Sequence, residues 1–269
     1  QSLRAIALEL ERLANHTGDL GALAGDVGYL PTASYCGRIR GDFLNLSALL
    51  CGSRFGRALV QPGGVAFDLD AARAASLRER LDAVFADATN AIELIWKTPS
   101  VMARFDGTGC VSRADAEAIG LVGPAARACG LEIDARAEFP SGAYRFAHIP
   151  VSFWESGDVL ARAHVRWLEM QRSVQFIRDQ VHELPASALR AELGPLVPEH
   201  LALIVVEGWR GELVHVALTD AKGRFSAYKV VDPSFHNWNG LALALRNEAI
   251  SDFPLCNKSF NLSYCGFDL

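Results

Sequence analysis

His16 and Asp26 stand ten positions apart on one amphipathic stretch, so a helix would carry both on one face about 15 Å apart. Direct contact is excluded at that spacing, and a proton passing between them would need intervening groups. Glu207, at the end of a β-rich run, is a second candidate proton carrier. Arg210 follows it in the turn Trp209-Arg210-Gly211, where an always-charged group with five donors could polarise a carbonyl or anchor an anion; a solvated hairpin arginine is the plainer reading. Arg38, Arg40, Arg54 and Arg57 form a basic cluster in a chain of net charge −5. Asp42 lies one helical turn past Arg38 and offers ordinary ion pairing. His236 has no evident partner among metal-ligating residues, so no metal is assigned there.

The six cysteines are Cys36, Cys51, Cys110, Cys129, Cys256 and Cys265, the closest two nine positions apart, so the chain holds no CxxC pair. Their sparse spacing reads as reduced thiols, most of them small core residues. GxGxxG and P-loop motifs are missing, which sends nicotinamide and nucleotide phosphates elsewhere. The acidic balance offers no broad cationic face for nucleic acid. Charged residues or Gly and Pro interrupt every apolar run well before the roughly 18 residues that a membrane span needs. Gln1 and the amphipathic pattern behind it read as a trimmed or N-terminally truncated chain rather than a signal segment.

The elements that would position these groups follow from periodicity. Leu3, Ile6, Leu10, Leu13, Thr17, Leu20 and Ala24 recur in steps of three and four, the face of a long helix, with Glu9, Arg12, Asn15 and Asp19 off that stripe. Gly18, Gly21 and Gly25 weaken helix propensity by nearly ~1 kcal/mol each, which predicts close packing against another backbone. A second helix is predicted from about Ser34 to Leu50 behind a Thr32 cap, and a third capped by Asp68 or Asp70 and closed by Pro99. Residues 108–150 read as irregular connections with a short helix near Ala114 to Ile119. A fourth long helix carries Leu160, Trp167, Val174 and Val181 in a seven-residue seam, as in a helical bundle. Leu201 to Val206, Leu213 to Thr219 and Phe225 to Val231 predict a small antiparallel sheet, with a short helix over Trp238 to Arg246. The fold class is mainly α with a small antiparallel β element, in one domain over residues 1–269: a helical core to 197, then a hairpin and C-terminal segment.

Four blocks, in order, carry a family resemblance: Arg4-Ala-Ile-Ala-Leu-Glu-Leu-Glu-Arg-Leu-Ala-Asn-His16; Arg38-Ile-Arg40 with Arg54-Phe-Gly-Arg57 and Pro62-Gly-Gly-Val65; Val206-Glu-Gly-Trp-Arg-Gly-Glu212; and Asp232-Pro-Ser-Phe-His-Asn237. The segment from Cys110 to Pro124 is similar to a further stretch of the same family. The chain resembles the large subunit shared by membrane-bound nickel-iron hydrogenases and respiratory complex I. That resemblance implies a hydrogenase large subunit-like helix bundle, docked against a small subunit that carries an iron-sulfur cluster, with the reaction site at their interface. It places Arg210 at the arginine of the hydrogenases' Ala-Pro-Arg-Gly motif, although Gly208 and Trp209 replace its first two residues. It places Asp26 near the quinone head-group region of complex I and turns Arg38, Arg40, Arg54 and Arg57 toward the cluster-bearing partner.

In the hydrogenase branch two CxxC pairs hold nickel and iron, and thiolates three positions apart suit such a soft centre. One alignment of the C-terminal pair lands on Asn261-Leu-Ser-Tyr-Cys-Gly266, with Ser263 and Gly266 at the ligand positions and Cys265 one place out of register. The other lands on Asp232-Pro-Ser-Phe-His-Asn237, again without cysteine. Gly56-Arg57 stands where complex I has His after its arginine, and Val231 replaces its arginine before the Pro-Ser-Phe block. The chain reads as a third branch, hydrogenase-like in scaffold and complex I-like in lacking metal ligands. The expectation is a subunit on the cytoplasmic face of a membrane-associated oxidoreductase of the NADH dehydrogenase type. It would bind no cofactor itself and would pass electrons from the partner's iron-sulfur cluster to quinone or a related acceptor. A 30 kDa-like complex I subunit and membrane subunits would complete the assembly. A scaffold without chemistry is the alternative, and a working nickel-iron hydrogenase is disfavoured.

Overall fold

The computed structural model describes residues 1–184 and 187–269. Helix α1 (Ser2–Asp26) buries its apolar stripe completely at Ile6, Leu10, Leu13 and Leu20. After a tight turn the chain folds back as α2 (Leu30–Cys51), and a short hairpin of β1 (Val60–Gln61) and β2 (Gly64–Val65) leads to α3 (Ala71–Lys97). Helix α2 starts ahead of the predicted Thr32 cap: Pro31 sits in its first turn, where its missing N–H costs nothing, and the Thr32 hydroxyl donates to the Ala91 carbonyl at 2.8 Å. Asp70 is the cap of α3, accepting from the Arg73 amide at 2.8 Å. Pro99 begins the next helix, α4 (Pro99–Phe105), as α3 ends at Lys97.

The predicted packing of the glycine face of α1 is present against α2. A Cβ placed on Gly21 would lie 2.5 Å from the Cys36 Cβ, and one on Gly18 would lie 2.9 Å from the Arg40 side chain. The Cys36 Cβ is fixed to its own helix, so Gly21→Ala is expected to push the helices apart and cost about 1–3 kcal/mol, as overpacked sites do. A thermal melt would show this as a midpoint lower by several degrees, and an unchanged midpoint would contradict the close approach.

Residues 108–150 are more helical than predicted. Three short helices appear there, α5 (Arg113–Ala118), α6 (Gly123–Arg127) and α7 (Ala135–Glu138), before α8 (Val159–His182). Strands β3 (Leu201–Gly208), β4 (Gly211–Thr219) and β5 (Phe225–Val231) form an antiparallel sheet in sequence order, in which Glu207 pairs with Glu212 and Gly208 with Gly211. The chain closes with α9 (Pro233–Ala244), α10 (Phe253–Phe260) and α11 (Tyr264–Phe267); the last two fall in a tail that periodicity left unassigned.

One apolar core joins α1, α2, α3 and α8, and a second gathers α5, α6, α9 and α10 around Leu121, Leu241 and Phe260. The chain is 57% helical, so the fold is mainly α with a small antiparallel β element. Among the described residues no helix is long and apolar enough to cross a membrane.

Candidate functional site

The two-residue turn Trp209-Arg210 projects from the β3–β4 hairpin into the body of the molecule. Its backbone touches that of α6: a Cβ on Gly123 would lie 2.3 Å from the Arg210 carbonyl oxygen, and one on Gly211 would lie 2.9 Å from the Gly123 Cα. Both glycines have positive φ, +64° and +137°, so only residues without a Cβ allow this approach. Arg210 Nε donates to the Asn261 carbonyl at 2.6 Å, and its guanidinium carbon lies 3.8 Å from the centre of the Trp209 ring. Its two terminal nitrogens make no hydrogen bond among the described residues. The residue borders a cleft of about 250 Å³ together with Leu8, Glu11, Trp209 and Asp232. Partial burial pulls its pKa down, opposed by the charges of Asp19 and Asp232.

Trp209 also borders a groove of about 410 Å³ between α1 and α2, shared with Leu8, Glu11, Arg40, Leu44 and Arg54. Arg40 and Arg54 therefore line a groove that shares Leu8, Glu11 and Trp209 with the Arg210 cleft, while their two companions do not join them. Arg38 is bound to Asp42 at 2.9 Å and to Asp87 of α3 at 2.5 Å, the ordinary pairing. Arg57 is exposed and lines neither cavity. A cavity of about 600 Å³ beside Gln1, Leu69, Arg78 and His182 contains none of the candidate residues.

His16 and Glu207 are not on the cleft wall. Both are buried, in one ionic network that the sequence reading missed. His16 Nε2 lies 2.7 Å from Glu169 Oε2 on α8. The other oxygen of Glu169 accepts from Arg127 Nη2, and Arg127 Nη1 donates to Glu207 Oε1 at 2.9 Å. Glu207 Oε2 accepts from the Ala135 amide at 3.1 Å. Arg12 bonds Glu9 at 3.0 Å and the Glu207 and Gly208 carbonyls at 2.6 and 3.0 Å. Arg136 bonds Asp134 at 2.6 Å and Glu9 at 3.2 Å, and Arg166 bonds Asp19 at 2.9 Å. Burial opposes ionisation of every carboxyl here. The Arg127 guanidinium nevertheless holds Glu169 well below its ordinary range, and Arg136 with Arg127 brings Asp134 to about 2. For Glu207 burial wins, and its pKa is raised.

The polar residues of α1 therefore need correction. Glu9, Arg12 and Asp19, read as lying off the packed face, are buried with His16 in a second packed face. Asp26 is outside the network: it ends α1 in an exposed position, its pKa raised by partial burial against the pull of Lys258.

The two alignments left open for the metal motif turn out to be neighbours. The Ser263 amide donates to Ser234 Oγ at 2.9 Å, and a Cβ on Gly266 would lie 2.6 Å from the Asp232 carboxyl carbon. Ser263 Oγ accepts from the Gly266 amide at 2.9 Å and lies 3.4 Å from Cys265 Sγ. The donors gathered there are a hydroxyl, one thiol and a carboxylate, which do not fit a nickel-iron centre built on thiolate pairs. Among the described residues no group of three or more His, Cys, Asp or Glu is arranged to hold a metal ion.

The family described as respiratory-chain NADH dehydrogenase, 49 kDa subunit, matches residues 26–193. The chain is 31% identical over 262 residues to the carbon monoxide-induced hydrogenase of Rhodospirillum rubrum, covering 97% of this chain and 73% of that protein. It is 27% identical over 264 residues to formate hydrogenlyase subunit 5 of Escherichia coli, covering 98% of this chain and 46% of that one. It is also 27% identical over 279 residues to the C/D subunit of the NADH-quinone oxidoreductase of Gluconacetobacter diazotrophicus, covering 94% of this chain and 46% of the relative. The chain thus spans under half the length of the last two.

Proposed function

The chain belongs to the respiratory-chain NADH dehydrogenase 49 kDa subunit family, and from that premise we propose that it serves as a subunit of a complex I-like or hydrogenase-like oxidoreductase, forming with an iron-sulfur partner a site for electron transfer to quinone or a related acceptor, without nickel-iron. The observation that carries this reading is Arg210, whose terminal nitrogens are unpaired among the described residues and which borders a cleft together with Asp232, the residue packed against Gly266 at one of the ligand positions of the hydrogenase metal motif. A fixed positive charge there stabilises the negative charge that develops on an acceptor oxygen during reduction. Arg40 and Arg54, in the neighbouring groove that Trp209 also lines, would give the face toward the partner its positive charge. The cytoplasmic-side placement, the membrane subunits and the 30 kDa-like partner belong to the same proposal.

The scaffold reading has its own support, since His16 and Glu207 are bound into the network that ties α1, α6, α8 and β3 together. Purifying the native complex through a tag on this chain separates the readings. An iron-sulfur subunit is expected to copurify, with iron in the preparation, nickel well below one per chain, and quinone reduced by an upstream donor. Stoichiometric nickel would sink the metal-free site, and an intact complex in which quinone reduction does not depend on this chain's cleft would leave the scaffold.

A further inference from the structure

The groove and the cleft meet at one titratable side chain. Leu8, Glu11 and Trp209 line both the groove of about 410 Å³ that holds Arg40 and Arg54 and the cleft of about 250 Å³ that Arg210 borders. On α1, Arg4, Ala7, Leu8, Glu11 and Asn15 are spaced as neighbours on one helix face, and all five line the groove. Glu11 is the only acid in that groove, and its carboxylate makes no hydrogen bond or ion pair among the described residues. Neither lining contains His, Cys, Tyr or Lys. The cleft has one other acid, Asp232, which is already committed. Its carboxylate accepts from the Ser234 amide at 2.8 Å as the cap of α9, and its carboxyl carbon lies 2.6 Å from where a Cβ on Gly266 would be. Cys265, beside Ser263, lines neither cavity. Of the described side chains that line the cleft, Glu11 is therefore the one whose proton is free to move.

We propose that Glu11 is the catalytic acid of the cleft, giving a proton to the acceptor oxygen that is reduced there; the proposal rests on the electron-transfer reading above. Reduction of a quinone to a quinol takes two electrons and two protons. The partner's iron-sulfur cluster gives the electrons one at a time and is itself oxidised. One proton leaves the Glu11 carboxyl as an O–H bond forms on the quinone oxygen facing it, and the second comes from water at the other oxygen. The carboxylate left behind regains its proton from water through the groove, which it also lines. Arg210 and Glu11 thus divide the work: the guanidinium, which cannot give up a proton, holds the developing negative charge, and the carboxyl neutralises it. The surroundings suit an acid that reloads. Glu11 is open to solvent, and partial burial in the two walls raises its pKa against the pull of Arg12 and Arg210. The other charges on the two linings are Arg4, Arg40 and Arg54 in the groove and Asp232 in the cleft. Arg4 is held by the Gln61 and Gly64 carbonyls, and Arg12 by Glu9 and the β3 carbonyls, so neither pairs with Glu11. A partner or acceptor that displaces water from the groove raises the carboxyl further, toward the working pH at which a general acid is most effective.

The test uses the purified native complex. Glu11→Gln keeps the shape of the side chain and removes its acid proton. It is expected to slow quinone reduction about 100-fold, the low end of what a positioned acid contributes, while the complex stays intact and an upstream dye is still reduced. Glu11→Asp, still an acid, is expected to keep more of the rate than Glu11→Gln. In the wild type the rate is expected to fall as pH rises through the folded pKa of Glu11, because the protonated form is the donor, and Glu11→Gln is expected to lose that limb of the profile. Quinone reduction by Glu11→Gln within about threefold of wild type, with the same limb, would overturn the proposal and leave the electron-transfer reading standing. A wild-type complex that reduces the dye and never quinone would overturn that reading, and the proposal with it. If Glu11→Gln disturbs assembly, Glu11→Asp and the wild-type profile decide. The free chain gives a measurement independent of turnover. Infrared titration, wild type minus Glu11→Gln, is expected to show one carboxyl that titrates above the ordinary glutamate value of 4.5, and ionisation at or below that value would overturn the acid.

Discussion

Arg127→Met is expected to destabilise the chain by about 3–5 kcal/mol, the range found when one partner of a buried ion pair is removed and the other is left behind. Arg127 is fully buried, and its guanidinium bridges Glu169, Glu207 and the Ile133 carbonyl. Domains commonly have only about 5–15 kcal/mol in total, so much of the variant should collect in the insoluble fraction. Arg127→Lys should be nearly as damaging, because a single ammonium cannot span two carboxylates and a carbonyl at once. Urea titration followed by circular dichroism measures the loss, and a stability within about 1 kcal/mol of wild type would show that the network does not hold α6 to α8 and β3.

Pairing Arg127→Met with Glu207→Gln should recover part of that loss by removing one of the stranded charges. Acid should act through the same groups. Asp134, brought to about 2 from an ordinary 3.8, contributes stability that is complete above about pH 4 and lost as pH falls toward 2. Glu169, also depressed, has the same sign; Glu207, raised by burial, has the opposite one and disfavours the fold as pH rises through its folded pKa.

How much of this was legible in the sequence depended on whether a residue's partner was apolar or charged. The stripe from Leu3 to Ala24 reads as a helix face because apolar side chains seek any apolar neighbour, so period alone identifies them. Glu9, Arg12, His16 and Asp19 recur at steps of three, four and three, an equally regular face, but a charged stripe is ordinarily a solvated one. Its burial follows only from what opposes it. On α8, Arg162, Arg166, Glu169 and Ser173 recur at four, three and four, and three of them bond to the α1 stripe: Arg166 to Asp19, Glu169 to His16, and Ser173 to Glu9. Two complementary polar stripes on two long helices were a signal available in advance. Arg127, Asp134 and Arg136 gave none, because they lie in and beside short helices whose place is set by contacts as distant in sequence as Glu207. The metal motif was ambiguous for a related reason. Sequence offered two registers as rivals, whereas folding sets Ser234 against Ser263 and Asp232 against Gly266, so both registers describe one place.

Arg210→Met in the assembled complex is expected to slow delivery of electrons to the acceptor about 100-fold while leaving assembly intact. The figure corresponds to roughly 3 kcal/mol, the usual cost of deleting one preorganised charged donor from a reaction site. Preorganisation is visible in how the side chain is held: Nε is fixed on the Asn261 carbonyl and the guanidinium lies over Trp209, so the residue borders the cleft with little freedom left to lose. Asn261 is itself constrained, in the left-handed conformation that ends α10 with φ of 48°. Methionine keeps only the apolar stem, removing with the charge both the guanidinium over Trp209 and the hydrogen bond to Asn261. Arg210→Lys should recover only part of the rate, since an ammonium keeps the charge without the planar fork that holds Asn261 and the cleft together. The assay compares reduction of quinone with reduction of a dye that takes electrons upstream, so the dye reports an intact electron supply. Loss of quinone reduction alone places Arg210 at the acceptor. Equal activity of mutant and wild type in both assays would remove it from the chemistry, and loss of both together with subunit dissociation would make it a residue of the interface instead.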